Sequence, residues 1–106
     1  MYLIGICEED QEYRSWSKRL MEAYCQKETM VVKIYEFSDR DSILEFYHSS
    51  SEHLDFLFLN TVLEQKTTMG LAKQIKILDE ACQIVFWSNH LHDYSKVYAV
   101  EHSYHV

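Results

Sequence analysis

The sequence predicts an α/β fold in which a parallel β-sheet is covered by helices on both faces. Short apolar runs alternate with amphipathic segments along the chain, which is the order that right-handed β-α-β crossovers produce. Runs such as DFLFL at 55–59 lack the apolar–polar alternation of a half-exposed strand and therefore indicate strands buried on both faces. Polar side chains follow several of these runs, as they do at the carboxyl edge of such a sheet.

The first half of the chain supplies two strand–helix units. Tyr2–Cys7 predicts a strand, and a helix is expected over 11–26, where apolar residues recur at three- and four-residue spacing. Met30–Phe37 is rich in β-branched and aromatic residues and predicts the second strand. Ser38 or Asp39 then caps a short second helix. The apolar face of the first helix contains Tyr13, Trp16, Leu20, Ala23 and Tyr24.

The second half continues the alternation. Asp55–Leu59 predicts the third strand, residues 60–68 a polar loop, and Met69–Leu78 an amphipathic helix. Gln83–Trp87 predicts a fourth buried strand, followed by a helix over 92–98 and a fifth strand at the closing SYHV. We therefore expect one domain, residues 1–106.

Composition disfavours several functional classes. The formal net charge of −7 argues against direct nucleic-acid binding, since phosphate contacts need clustered lysine and arginine. No apolar run approaches the roughly 20 residues of a membrane-spanning helix, so we expect a cytoplasmic protein without membrane contact. Three cysteines, an odd number, fit a reducing compartment, and Cys25, near the end of the first predicted helix, is the one expected to be exposed.

Acidic, amide and hydroxyl side chains follow three of the predicted strands. Glu8 and Glu9, with Asp10 beside them, follow the first strand, Asn60 ends the third and Ser88 follows the fourth. Because the carboxyl ends of parallel strands meet at one edge of the sheet, we expect these side chains to converge. This convergence is the strongest functional signal in the sequence.

Four segments together resemble the receiver domain of bacterial response regulators, in particular the group that precedes LytTR-type DNA-binding domains. They are LIGICEED at 3–10, DFLFLN at 55–60, MGLAKQIK at 69–76 and IVFWSNH at 84–90. Each segment is weak alone, but the set has the family's order and spacing. The resemblance implies a flavodoxin-like, doubly wound sheet of five parallel strands in the order 2-1-3-4-5, with helices on both faces.

The resemblance also gives a role to individual positions. Glu8 and Glu9 correspond to the acidic pair that helps to hold Mg²⁺, and Val62 to the residue whose backbone carbonyl completes that metal site. Asn60 corresponds to the aspartate that accepts a phosphoryl group from a kinase. The acceptor position is therefore degenerate.

The switch and the dimerisation surface of the family fall near the end of the chain. Ser88 and Tyr104 correspond to the hydroxyl and aromatic residues that move with phosphorylation. The family's lysine is expected three residues beyond Tyr104, but the sequence ends at Val106, and the fifth helix is absent as well. Receiver domains often dimerise or contact partners through the surface that here contains Tyr94, Val97, Tyr98 and Val100.

Asn60 should stop the family's reaction at its first step. A carboxamide oxygen carries no full negative charge and is a poor nucleophile toward phosphorus. Mg²⁺ binding should be weak or absent, because one carboxylate is lost and the longer Glu8 and Glu9 side chains fit a small ion poorly. We hypothesise that an N–H of Asn60 bonds to Glu8 or Glu9 in place of a metal.

Two functional readings follow. The first is a signalling module without enzyme activity that works through a protein partner or self-dimerisation, joined in the natural protein to a DNA-binding output domain. The alternative is a phosphorylation-responsive receiver that a sensor histidine kinase modifies. There the natural acceptor is an aspartate replaced by an engineered Asn60, or a neighbouring acid. A flavodoxin-like cofactor carrier would need glycine- and hydroxyl-rich phosphate-binding turns, and the sequence has none.

Overall fold

The computed structural model describes residues 1–88 in full and the backbone of residues 103–105. Its strands are β1 (Tyr2–Cys7), β2 (Val32–Phe37), β3 (Phe56–Asn60), β4 (Val62–Leu63), β5 (Lys66–Thr67), β6 (Gln83–Trp87) and β7 (Ser103–His105). Its helices are α1 (Gln11–Lys27), α2 (Arg40–Ser49) and α3 (Met69–Leu78). The helix expected over 92–98 lies outside the described residues, as do Tyr94, Val97, Tyr98 and Val100.

Five strands form one parallel sheet in the order β2-β1-β3-β6-β7. With β6 and β7 as the fourth and fifth strands, this confirms the predicted flavodoxin-like sheet. The register aligns the carboxyl ends of the central strands, because Cys7 pairs with Leu59 and Asn60 pairs with Trp87. The residues that follow β1 and β6 therefore lie beside the last residue of β3.

The main core lies between the sheet and the face covered by α2 and α3. Ile43 of α2 and Leu71, Ala72 and Ile75 of α3 are buried in it against alternate residues of the strands. Gly5 of β1 permits this packing, since a Cβ there would lie 2.9–3.1 Å from side-chain atoms of Leu54, Leu57 and Phe37. Buried strand residues explain why the apolar runs carry no polar alternation.

Helix α1 covers the opposite face only in part. Cys25 is its one buried residue, with 4% of its surface exposed, which contradicts the expectation that this cysteine would be exposed. Much of the apolar face is instead open, with Trp16, Leu20 and Tyr24 exposing 51%, 56% and 60% of their surface. Periodicity identified an apolar face correctly, but it could not show that Trp16, Leu20 and Tyr24 on that face stay largely exposed.

The segment after β3 is more ordered than the polar loop that the sequence predicted. Strands β4 and β5 form an antiparallel hairpin in which Val62 pairs with Thr67 and Leu63 pairs with Lys66. The two residues of the turn, Glu64 and Gln65, have φ values of 55° and 65°. Positive φ at both positions is the geometry of the tight hairpin turn that matches strand twist.

Local sequence explains where the helices begin. Asp10 caps α1 by accepting a hydrogen bond from the Tyr13 backbone N–H at 2.9 Å. Of the two predicted caps for α2, the structure uses Asp39, which forms a reciprocal capping box with Ser42. Among the helices of the described residues, none is long and apolar enough to span a membrane.

Candidate functional site

The sheet places Asn60 against Glu8 at its carboxyl edge. Asn60 Nδ2 donates a hydrogen bond to Glu8 Oε2 at 2.6 Å. Both side chains are buried, with 4% and 1% of their surface exposed. A charge-assisted bond of this kind, shielded from water, is among the stronger hydrogen bonds in proteins.

The carboxamide of Asn60 is held at both of its ends. Its Oδ1 accepts from the Val62 backbone N–H at 3.1 Å while its Nδ2 faces the carboxylate. Turning the amide over would set an oxygen against the oxygen of Glu8 and an NH₂ against an N–H, so one orientation is strongly favoured. The backbone carbonyl of Asn60 accepts in addition from Thr68 Oγ1 at 2.7 Å.

Glu8 is a buried acid with several supporting contacts. Its Oε2 also accepts from the Glu9 backbone N–H at 3.1 Å, and Arg14 donates to its backbone carbonyl at 2.7 Å. Burial raises the pKa of the Glu8 carboxyl above its ordinary value, although the hydrogen bonds from Asn60 and from the Glu9 backbone lower the pKa in part. The hydrogen bond from Asn60 therefore favours the ionised form of Glu8, whereas burial disfavours that form.

The three neighbouring acids point to different partners. The carboxylate of Glu9 accepts from the backbone N–H of Glu64 in the hairpin turn, at 3.3 Å to either oxygen. Asp10 caps α1. Of the three predicted acids, Glu8 alone bonds to Asn60. The sequence could not show which partners Glu9 and Asp10 would have.

The residues of the implied magnesium site do not fit the ion as they stand. The Glu8 carboxylate bonds to Asn60, and the Glu9 carboxylate bonds to the Glu64 N–H of the hairpin. Within residues 1–88 and the strand at 103–105, no group of three or more His, Cys, Asp and Glu side chains is arranged to hold a metal ion. Mg²⁺ requires a near-octahedral shell of oxygen ligands, and the side chains as placed here do not supply one.

The two predicted switch residues belong to the part of the sheet that contains β6 and β7. Ser88 directly follows Trp87, the residue paired with Asn60, and is half-buried. Tyr104 lies in β7 and pairs with Val85 of β6. The backbone therefore places Tyr104 on the strand next to β6, which ends at Trp87 just before Ser88.

Arg40 is the contributor to this region that sequence reasoning missed. Its Nη2 donates to the backbone carbonyls of Leu63, Lys66 and Thr67 at 3.0–3.1 Å, and its Nε lies 3.6 Å from Glu64 Oε1. These bonds fasten the hairpin to the start of α2. Arg40 lies in the first turn of α2, where a positive charge interacts unfavourably with the helix dipole. That unfavourable position was a weak sequence signal that Arg40 bonds to groups outside its own helix.

Comparison with known proteins identifies the fold. No protein-family model matches the sequence, and no curated protein is significantly similar to it. Among solved structures, the response regulator TrrA from Thermotoga maritima, crystallised with Mg²⁺-BeF, superposes with a TM-score of 0.76 at 16% identity. That alignment covers 100% of this chain and 86% of TrrA.

Two further structures give the same result. A CheY-like receiver domain from Methylobacillus flagellatus has a TM-score of 0.70 at 20% identity, over 88% of this chain and 74% of that one. A response regulator from Burkholderia pseudomallei, which contains a phosphorylated aspartic acid and a calcium ion, has a TM-score of 0.75 at 11% identity. The alignment covers 99% of this chain and 59% of the Burkholderia protein.

The class of protein that these observations define is a structural one. The chain has the flavodoxin-like fold of response-regulator receiver domains. At its carboxyl edge it places a buried Asn60–Glu8 pair.

Proposed function

We propose that this chain is a receiver-like signalling module that does not accept a phosphoryl group at Asn60 and acts through contact with other proteins. The observation that carries the proposal is the buried hydrogen bond from Asn60 Nδ2 to Glu8 Oε2. It rests in addition on the resemblance that aligns Asn60 with the family's acceptor aspartate.

The chemistry of Asn60 supports inactivity toward phosphoryl donors. A phosphoryl acceptor needs an anionic oxygen that can approach phosphorus in line with the leaving group. The one oxygen of the Asn60 side chain is uncharged and already accepts from the Val62 N–H. Attack would have to break that bond and would give no stable acyl phosphate, because the carboxamide nitrogen stays attached.

The pair also explains how the edge of the sheet is stable as it stands. Two carboxylates at this distance would repel, and one would take up a proton. In this chain the amide of Asn60 instead donates an N–H to Glu8. The carboxylate of Glu9 accepts the backbone N–H of Glu64 in the hairpin. The site therefore needs neither a metal nor a proton to satisfy these groups.

The natural context that we propose follows the family resemblance. The module would belong to a LytTR-type transcriptional regulator, with a DNA-binding output domain elsewhere in the protein. Its partners would be other proteins or a second copy of itself, and the net charge of −7 disfavours direct contact with nucleic acid.

Intact-mass measurement after incubation with Mg²⁺ and acetyl phosphate tests the proposal. The unmodified chain should show no adduct of roughly 80 Da, the mass of one phosphoryl group on an acyl acceptor. Gln74→Glu, which makes the same amide-to-acid change at an exposed position of α3, serves as the control and should also show none. A phosphoryl adduct on the unmodified chain, mapped to Glu8, Glu9 or Asp10, would overturn the proposal and favour the alternative reading.

Asn60→Asp addresses a separate question in the same assay. An adduct that forms on this variant alone would show that the rest of the site retains the family's chemistry. That result would assign the inactivity of the unmodified chain to the single amide, as the proposal does.

A further inference from the structure

Asp79, which directly follows α3, is buried beside the amino end of β3, with 2% of its surface exposed. Its Oδ2 accepts hydrogen bonds from the Tyr47 hydroxyl at 2.8 Å and from the Leu54 backbone N–H at 2.9 Å. Its Oδ1 lies 3.1 Å from Nδ1 of His53. Contacts from α2 and from the segment before β3 therefore hold this carboxylate in one place.

The contact with Asp79 fixes which nitrogen of His53 carries the proton. A carboxylate accepts hydrogen bonds and donates none, so Nδ1 carries the proton that it shares with Asp79. The other nitrogen, Nε2, then holds the free lone pair. The side chain of His53 is 68% exposed, and Nε2 bonds to no group among residues 1–88. Reagents in the solvent can therefore reach this lone pair.

The imidazole of His53 contributes little to holding the fold together. Tyr47 and Leu54 already connect Asp79 to α2 and to the start of β3 through Oδ2. An ion pair with one exposed partner adds little to stability. A buried carboxylate behind an exposed imidazole instead orients the ring and makes its outer nitrogen a stronger electron donor.

From this arrangement we infer that Nε2 of His53 accepts a phosphoryl group from small donors in which phosphorus is bonded to nitrogen, as in phosphoramidate. Histidine is among the side chains that form covalent intermediates by nucleophilic attack. The exchange replaces one phosphorus–nitrogen bond by another, so it needs no further source of energy.

The transfer balances with these two reactants alone. The Nε2 lone pair forms a bond to phosphorus while the phosphorus–nitrogen bond of the donor breaks, and ammonia leaves with the protons that the donor nitrogen already carries. The product ring is positively charged, with its proton still on Nδ1. Asp79 faces that proton and acts as a positioning residue that stabilises the cation, as the aspartate of a Ser-His-Asp triad does.

This site goes beyond the proposed function and does not depend on it. His53 precedes β3 and Asn60 ends it, so the two residues lie at opposite edges of the sheet. The donors differ as well, and peptide mapping separates an adduct on His53 from one on Glu8 or Glu9. Failure of one proposal therefore leaves the other unchanged.

Incubation with potassium phosphoramidate, followed by peptide mapping at alkaline pH, where the phosphorus–nitrogen bond survives, tests the inference. His53 should gain one phosphoryl group, an added mass of roughly 80 Da. His48, exposed in the last turn of α2, is the internal comparison, because no acid pairs with it among the described residues. His53 should react at least about tenfold faster than His48. Phosphorus NMR should show the Nε2 isomer at His53, since Asp79 occupies Nδ1.

Amide-for-acid substitutions measure what Asp79 contributes. Asp79→Asn removes the charge behind the ring and should slow the reaction of His53 at least about tenfold while the rate at His48 stays the same. Asp41→Asn makes the same change at an exposed position in the first turn of α2 and should leave both rates unchanged. Circular dichroism melting of each variant establishes that it is folded in the assay.

Reaction in urea supplies a test that requires no variant to fold. In the unfolded chain Asp79 no longer lies beside His53, so His53 and His48 should react at equal rates. Equal rates in the folded chain would overturn the inference. An Nδ1 isomer at His53, or a rate at His53 that folded Asp79→Asn leaves unchanged, would overturn it as well.

Discussion

Asn60 and Glu8 are 52 residues apart in the chain, yet Asn60 Nδ2 lies 2.6 Å from Glu8 Oε2 in a buried pair. The pairing of β1 with β3 sets this distance, because Cys7 lies opposite Leu59 and the next residues are then neighbours. The amide thus meets a buried acid at the carboxyl edge of the sheet. Its donor group satisfies an acid that burial would otherwise push toward protonation.

Changing Asn60 to Asp should destabilise the protein at neutral pH. The variant replaces a donor by a second carboxylate beside Glu8, so one hydrogen bond is lost and two like charges meet in a buried site. We expect the free energy of unfolding to fall by about 1–3 kcal/mol at pH 7, and by less near pH 5, where one of the acids takes up a proton. Urea denaturation at both pH values measures this.

The control for that change is Gln74→Glu, an amide-to-acid substitution on the exposed side of α3. It should alter the free energy of unfolding by no more than about 0.5 kcal/mol at either pH. Equal stability of Asn60→Asp and the unmodified chain at pH 7 would mean that the Asn60–Glu8 bond contributes little.

The sheet and the convergence of Glu8 with Asn60 could be predicted from sequence, because both follow from buried apolar runs and from the geometry of parallel strands. The partners of Glu9 and Asp10 could not, since each acid has several backbone donors within reach of its chain position. The burial of Cys25 was missed for a different reason. The half-buried and buried side chains of α1 include Arg14, Lys18, Met21 and Cys25, so two charged residues share the inward side with Cys25.

Those two cations turn inward because Glu36 of β2 accepts both of them. Arg14 Nε and Lys18 Nζ each lie 3.4 Å from a Glu36 oxygen. The hydrophobic pattern alone could not show that Arg14 and Lys18 turn toward β2. An ion pair between elements far apart in the chain has no local sequence signal.

Replacing Glu8 by Gln should change how stability depends on pH. The pKa of Glu8 is raised in the folded protein above the ordinary value of about 4.5. When the pH lies between the unfolded and the folded pKa of Glu8, the folded state binds more protons than the unfolded state. The contribution of Glu8 to stability therefore falls as pH rises through its folded pKa. Gln does not titrate, so this part of the pH dependence should disappear.

The measurement is the free energy of unfolding of both proteins from pH 4.5 upward toward neutral pH. Relative to the unmodified chain, Glu8→Gln should gain stability as pH rises. Glu12→Gln, at an exposed position in the first turn of α1, is a control for loss of an acid and should show no such gain. A difference between Glu8→Gln and the unmodified chain that stays constant with pH would contradict a raised pKa of Glu8.

Arg40→Ala should loosen the hairpin of β4 and β5. Three backbone carbonyls lose their donor, and the carboxylate of Glu64 loses its cation. We expect a loss of about 1–3 kcal/mol in the free energy of unfolding and faster amide hydrogen exchange at Leu63 and Lys66. Exchange monitored by mass spectrometry after peptic digestion resolves this segment.

Arg40→Lys distinguishes geometry from charge at the same position. Lysine keeps the charge but lacks the planar fork of guanidinium, so it should restore only part of the protection. Lys73→Ala, at an exposed position of α3, should leave the hairpin unchanged. Full protection in Arg40→Ala would show that the hairpin is held by its own strand pairing.

Gln65→Gly should stabilise the protein, although it removes a side chain. Gln65 has a φ of 65°, a left-handed conformation that glycine adopts without steric penalty and other residues adopt at a cost of roughly 1 kcal/mol. The flanking pairs of β4 and β5 require this turn geometry, so relief of strain should outweigh the extra freedom of glycine in the unfolded chain. We expect a gain of about 0.5 kcal/mol, measured by urea denaturation. Gln74→Gly is the matched control, since the same change inside α3 should instead cost about 1 kcal/mol. Destabilisation by both variants would show that the turn is not strained at Gln65.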